Sequence, residues 1–344
     1  MTPATVSSPT TTEFALGDLR TARGEILREA RLRYRVYGDP ALGRSQGWAL
    51  VFHALTGSPH VDQWWGPLMA PGAPLDPARR PVLAANLLGS CYGSTGPAPG
   101  GPHAHLPFPE LTSEDLARAH EPLLEHLDVQ RVAVATGGSL GGMVALQWGR
   151  ITSVPTDRLV IFAAPAVTSA QSIAWNAAQR MAIEADAGWR NGHYAPGAGP
   201  GAGLAAARAI AMITYRSAVE FEARFGRQAA RDGQRFDVEH YLRWQGDKLV
   251  ARFDAASYVS LLRTMDLHTV GDPAEAAQAT AARVARVIGV GIDTDILYYP
   301  YEVSGWVDAY RAAGAAAEYR EIRSPYGHDA FLIEWDQVAA ILSE

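Results

Sequence analysis

The chain has 344 residues, of which 48% are hydrophobic and 19% charged, with a formal net charge of −6. That is an ordinary globular balance, and the length suits one large α/β domain with an insertion, or two domains. The acidic balance without a long basic run argues against nucleic acid as a partner, no apolar run reaches membrane-spanning length, and a lone Cys91 excludes an intrachain disulfide.

Residues 1–12 are rich in Thr, Ser and Pro and lack a charged segment followed by an apolar one. They read as a loose tail rather than a signal peptide, which points to a cytoplasmic protein. Leu32 to Tyr37 alternates apolar and charged residues, a half-buried strand that Gly38-Asp39-Pro40 ends. Trp48 to His53 and Pro81 to Leu87 are apolar runs expected to be buried strands. Each opens into a loop, His53-Ala-Leu-Thr-Gly57 and Leu88-Gly-Ser-Cys-Tyr-Gly-Ser-Thr-Gly-Pro97. Thr112 to Leu127 has helical periodicity behind a capping-type start. Arg131 to Thr136 and Arg158 to Ala164 are further strands.

From Ser169 to Gly271 the pattern turns helical. Helices are expected at Ala174–Ala185, Leu204–Phe225, Val238–Leu249 and Ala255–Leu267, with a Gly/Pro-rich loop between the first two. Strands return at Val284–Gly291 and Ala317–Ile322, with helices at Gly305–Ala313 and Phe331–Leu342. Alternating strands and helices imply a mostly parallel central sheet with helices on both faces. A helical block before the last two strands makes this the layout of an α/β hydrolase fold with a lid. Residues 13–168 and 272–344 form the expected catalytic domain, and 169–271 the helical lid.

The chemistry centres on Gly137-Gly-Ser-Leu-Gly141, which sits between a strand and a helix-forming run beginning at Gly142. That context puts the Ser139 hydroxyl on a tight turn at the carboxyl edge of the sheet, beside a helix N-terminus. The bland alternative is a glycine-rich turn that happens to contain a serine. A serine hydroxyl needs a base, and the base an orienting carboxylate. In this fold the order is serine, acid, histidine. Asp293 and Asp295 follow the penultimate strand, and His328 follows the last. Turn chemistry or helix capping is the bland reading of the aspartates, a surface loop that of the histidine. Three roles filled in the required order favour catalysis. Topology assigns the two oxyanion donors to the backbone N–H groups of Leu55 and Leu140. No metal site or bound cofactor is expected.

Several longer segments carry a specific resemblance. They are His53 to Gly57, Asn86 to Pro97, Gly137 to Met143, Ala211-Met-Ile-Thr-Tyr-Arg-Ser217, Tyr241 to Lys248, Arg252-Phe-Asp-Ala-Ala-Ser-Tyr258, Met265 to His268, Asp293 to Tyr298 and Gly327 to Leu332. With these the chain resembles the homoserine O-acetyltransferase family of methionine biosynthesis. The resemblance implies a triad of Ser139, Asp295 and His328, favouring Asp295 over Asp293. It implies that Arg216 binds the amino-acid carboxylate and Asp329 the α-ammonium, where a lid salt bridge and a surface cap are the structural alternatives. It also implies acetyl-CoA as co-substrate, L-homoserine as acceptor, a ping-pong acyl-serine mechanism and a homodimer formed through the lid.

Ser58-Pro59, Pro165-Ala-Val167 and the loop from Pro97 to Thr112 depart from the family pattern. They leave open succinyl-CoA as donor and serine as acceptor. A plain serine esterase remains the alternative of another class.

Overall fold

The computed structural model describes residues 10–105, 107–230, 233 and 235–344. Eight strands form one sheet: β1 (Thr10–Arg20), β2 (Ile26–Tyr37), β3 (Trp48–Phe52), β4 (Val82–Ala85), β5 (Val132–Gly138), β6 (Thr156–Phe162), β7 (Val284–Ile292) and β8 (Ala317–Ile322). Their order is β1-β2-β4-β3-β5-β6-β7-β8. The pairs β1–β2 and β2–β4 are antiparallel, and the rest are parallel. Strands covered on both faces carry apolar side chains on both, which is why β3, β4 and β5 are buried along their whole length.

Register brings the strand exits to one edge. Phe52 stands opposite Gly137, Gly138 opposite Phe162, and Ile292 opposite Ile322. The residues that follow, among them His53, Ser139 and Asp293, therefore share the carboxyl edge of the sheet.

Between β6 and β7, the described residues of 169–271 contribute five α-helices: Ala170–Glu184, Gly201–Tyr215, Ala218–Arg224, Asp237–Val250 and Ala255–Asp266. The two chain stems of this block are tied together. Val167 bridges Thr269, the Thr168 N–H donates to the His268 carbonyl at 3.1 Å, and the Val270 N–H to Ala166 at 2.8 Å. The buried His268 ring joins Ser113 Oγ at 2.7 Å and the Pro165 carbonyl at 3.0 Å, which fastens the stems to the sheet layer. Among the described residues no helix is long and apolar enough to cross a membrane.

Several expectations need correction. Residues 10–12 of the expected tail belong to β1, while residues 1–9 lie outside the described residues. β1 lies outside the expected strands because Thr, Glu, Asp and Arg dilute its few apolar residues; it pairs with β2 and packs Phe14, Leu16 and Leu19 against the core. The continuous helix expected over 112–127 is two, Ser113–Arg118 and Glu121–His126. Pro122 cannot donate a backbone bond and would collide with the carbonyl four residues earlier. The helix expected over 204–225 also breaks. Arg216 is extended, at φ −113° and ψ 147°, and Ser217 caps a new helix by accepting from the Glu220 N–H at 3.0 Å. The closing helix starts at Trp335, after a 3-10 turn over Gly327–Leu332. A helix at Pro273–Ala281, capped by Asp272, had gone unread.

Candidate active site

Ser139 links β5 to the helix Leu140–Ile151 with φ +58° and ψ −126°. A non-glycine residue in that region costs about 1–3 kcal/mol, which the packing around it must offset. The flanking glycines explain how it is held. A Cβ on Gly137 would stand 2.5 Å from the Gly141 carbonyl, and one on Gly141 would overlap the Phe52 carbonyl. The turn is pinned by the Ser139 N–H, which donates to the Phe162 carbonyl at 3.0 Å.

The exits of β7 and β8 build the acid and the imidazole. Asp293 Oδ1 accepts from the Ser324 N–H at 2.9 Å, and the Thr294 hydroxyl donates to the Ser324 carbonyl at 2.6 Å. These bonds hold the two loops together, so Asp293 has a structural role. Asp295 has both oxygens engaged. Oδ1 accepts from the N–H groups of Leu297 at 2.8 Å and Tyr298 at 3.0 Å, and Oδ2 meets His328 Nδ1 at 2.7 Å. His328 is buried, with the Tyr298, Tyr215 and Phe331 rings around it at 5.2, 5.7 and 5.8 Å. Burial pulls its pKa down, but the charge and hydrogen bond of Asp295, with Asp329 nearby, outweigh burial and raise it. Its other nitrogen, Nε2, is buried and has no hydrogen-bond partner. The Asp–His link is therefore made, while the bond from imidazole to serine is not. Such bonds commonly tighten only with substrate present.

Ser139 and His328 line one cavity of about 740 Å³. Leu55 lines it too, from the loop after β3, and Leu140 is the first residue of the helix after the serine. No acceptor takes the backbone N–H of Leu55 or Leu140 among the described residues. Cys91 also lines the cavity, but burial pushes its thiol up to about 11, which leaves almost no thiolate to compete as nucleophile. Arg252, in the linker between two helices of the 169–271 block, donates to the Thr56 carbonyl at 2.8 Å and to Tyr92 Oη at 2.7 Å.

Asp329 lines this cavity, but Arg216 does not. Arg216 Nη1 lies 3.3 Å from each Glu220 carboxylate oxygen and Nη2 lies 3.4 Å from Asp329 Oδ2, beside a separate pocket of about 450 Å³. The helix break at Arg216 turns the side chain behind Asp329 instead of into the cavity, which corrects the expectation of direct contact. The arginine that does line the cavity beside Asp329 is Arg208, its guanidinium over the Tyr215 ring at 5.4 Å. The sequence carried a signal for it: Arg208 is the only charged residue in the helix Gly201–Tyr215.

A strained serine on a strand-to-helix turn, an imidazole oriented by a buried carboxylate, and an all-parallel core define an α/β hydrolase-fold enzyme. The family model for the alpha/beta hydrolase fold matches residues 49–265. The chain is 44% identical to a homoserine O-acetyltransferase of Thermus thermophilus, over 94% of this chain and 87% of the relative. It is 41% identical to one of Moorella thermoacetica, over 94% and 92%. The chain belongs to the homoserine O-acetyltransferase family. Among solved structures, homoserine O-acetyltransferase from Staphylococcus aureus matches at TM-score 0.79 and 28% identity, over 97% of this chain and 94% of that one. Esterase E22 matches at TM-score 0.86 and 20% identity, over 97% and 99%, a likeness of fold alone.

Proposed function

We propose that the chain is a homoserine O-acetyltransferase, moving an acetyl group from acetyl-CoA to the side-chain hydroxyl of L-homoserine through an acyl-serine. The observation that carries this reading is one cavity lined by Ser139, His328, Asp329 and Arg208. A nucleophile and its base stand beside an anion and a cation able to take the two charges of an amino acid. A plain esterase has no use for that charge pair.

In the first half-reaction His328 Nε2 takes the Ser139 proton as the oxygen attacks the thioester carbonyl. The N–H groups of Leu55 and Leu140 hold the oxyanion, the C–S bond breaks, and His328 returns the proton to the leaving sulfur. In the second, the homoserine hydroxyl gives its proton to His328 and attacks the acyl-serine. Collapse releases the ester, and the proton goes back to Ser139. Asp295 keeps the imidazole proton on Nδ1 and stabilises the imidazolium. Arg208 takes the acceptor's carboxylate and Asp329 its ammonium, with Arg216 bracing Asp329 from behind. Residues 169–271 act as a lid that keeps water from the acyl-enzyme.

A second copy of the chain covers the exposed Ile213 and Val219 in this reading, whereas Leu204 is buried within the helical block. Use of acetyl-CoA fits a cytoplasmic enzyme.

Thiol release from acetyl-CoA with and without homoserine tests the reading. Rapid release that depends on homoserine is expected, with the product identified by mass. Equally rapid release with no amino acid would make the protein a hydrolase. A panel of acetyl-, propionyl- and succinyl-CoA against homoserine and serine should give the highest kcat/KM for the acetyl and homoserine pair.

A further inference from the structure

His53 is the first residue after β3, its side chain is buried, and both ring nitrogens are engaged. Nε2 accepts from the Leu87 N–H at 3.0 Å, so Nε2 carries no proton. Nδ1 lies 2.8 Å from the Ala54 carbonyl, which accepts only, so the proton sits on Nδ1 and is donated there. Burial lowers the ring's pKa to about 4, which keeps the imidazole neutral and the tautomer fixed.

The Ala54 carbonyl is one half of a peptide unit whose other half is the Leu55 N–H. In a planar trans peptide the two point in opposite directions, so a group that pins the oxygen also aims the hydrogen. The same oxygen accepts from the Gly57 N–H at 2.8 Å. We propose that His53 is a positioning residue for the transfer reaction: its Nδ1–H, held in that tautomer by Leu87, fixes the Ala54–Leu55 peptide plane and so directs the Leu55 N–H at the developing oxyanion. The inference rests on the oxyanion role given to Leu55 above. The Leu87 bond matters because it selects the imidazole tautomer. With the proton on Nε2, the Nδ1 lone pair would face the carbonyl lone pairs and push the peptide out of plane. Leu87 lies two residues beyond β4, so the loop takes its setting from the sheet.

His53→Asn and His53→Gln separate the two contacts. The shorter amide places an N–H near the Nδ1 position and keeps the bond to Ala54. The longer one reaches toward Leu87 and leaves the Ala54 carbonyl held by the Gly57 N–H alone. Loss of one oxyanion donor lowers kcat by about 10²–10³-fold, so the Gln variant should fall about 10²-fold with its KM for homoserine little changed. The Asn variant should stay within about 10-fold of the parent, while both, each missing one buried hydrogen bond, should melt lower by a similar amount. A folded Gln variant at parental kcat, or equal losses in both variants that track their melting temperatures, would overturn the proposal. Nitrogen-15 spectra of the unaltered enzyme give a test that needs no variant: the neutral His53 ring must show its proton on Nδ1, and a proton on Nε2 would end the case. An acyl mass increment on Ser139 monitors the underlying reading separately. If the parent acylates and the Gln variant acylates just as fast, only the His53 proposal fails.

Discussion

Arg208 and Arg216 are eight residues apart and do different work because one helix ends between them. Arg208 faces the cavity, whereas Arg216 is occupied by Glu220 and Asp329. A hydrogen bond to a charged group is worth about 1.5–3 kcal/mol. Arg208→Ala should therefore raise the homoserine KM by about 10–100-fold and leave acylation of Ser139 by acetyl-CoA unchanged. Steady-state kinetics and single-turnover mass measurements read these separately, and a normal KM would remove Arg208 from the acceptor site. Arg216→Ala should act more weakly, through a loosened Asp329. The side chains proposed for catalysis were legible from sequence because strand exits and chain order place them. The arginine proposed for the acceptor was not, because the helix break that turns Arg216 aside depends on contacts from another part of the chain. The Ser217 hydroxyl, for example, donates to the Pro325 carbonyl.

His328 also sets a pH dependence. Its pKa is raised, so the protonated, inactive form persists above the ordinary histidine value of about 6.5. The acid limb of kcat/KM should accordingly lie above about pH 6.5, and Asp295→Asn should move the imidazole pKa downward while reducing kcat. The stability sign is the reverse. The His328–Asp295 pair adds most when the ring is protonated, below the unfolded pKa, and that part is lost as pH rises through the folded value.

At the scale of elements, the turn at Ser139 works because backbone passes against backbone. Gly141 has the Phe52 carbonyl where a Cβ would go, and neither strand nor helix can move away without shifting the serine. Gly141→Ala should cost about 1–3 kcal/mol and lower kcat more than KM, measured by denaturant unfolding and kinetics. Unchanged stability and rate would mean that the turn tolerates more than its packing indicates. A second close approach occurs at Gly327, with φ +66°, where a Cβ would stand 2.7 Å from the Ser217 N. The bend between two lid helices is thus seated against the residue before His328. The strands β3 to β7 were readable as apolar runs because burial on both faces writes itself into composition, whereas the edge strand β8 is half-buried and mixes Glu and Arg with its apolar residues. β1 was harder to read, since only Phe14, Leu16 and Leu19 pack on the core and register shifts around Gly17 break their alternation.

For the whole molecule, the exposed Ile213 and Val219 carry the homodimer reading. Val219→Asp combined with Ile213→Asp should shift sedimentation from dimer to monomer with the fold retained, and a dimer that persists would place the interface elsewhere. How the helical block sits has a further consequence. Its two feet stand together where Val167 meets Thr269, and on the far side Arg252 reaches down to the rim at Thr56. Held at both ends, it forms an arch rather than a flap. The cavity mouth is thus bounded by a block tied at its stems and again at its rim.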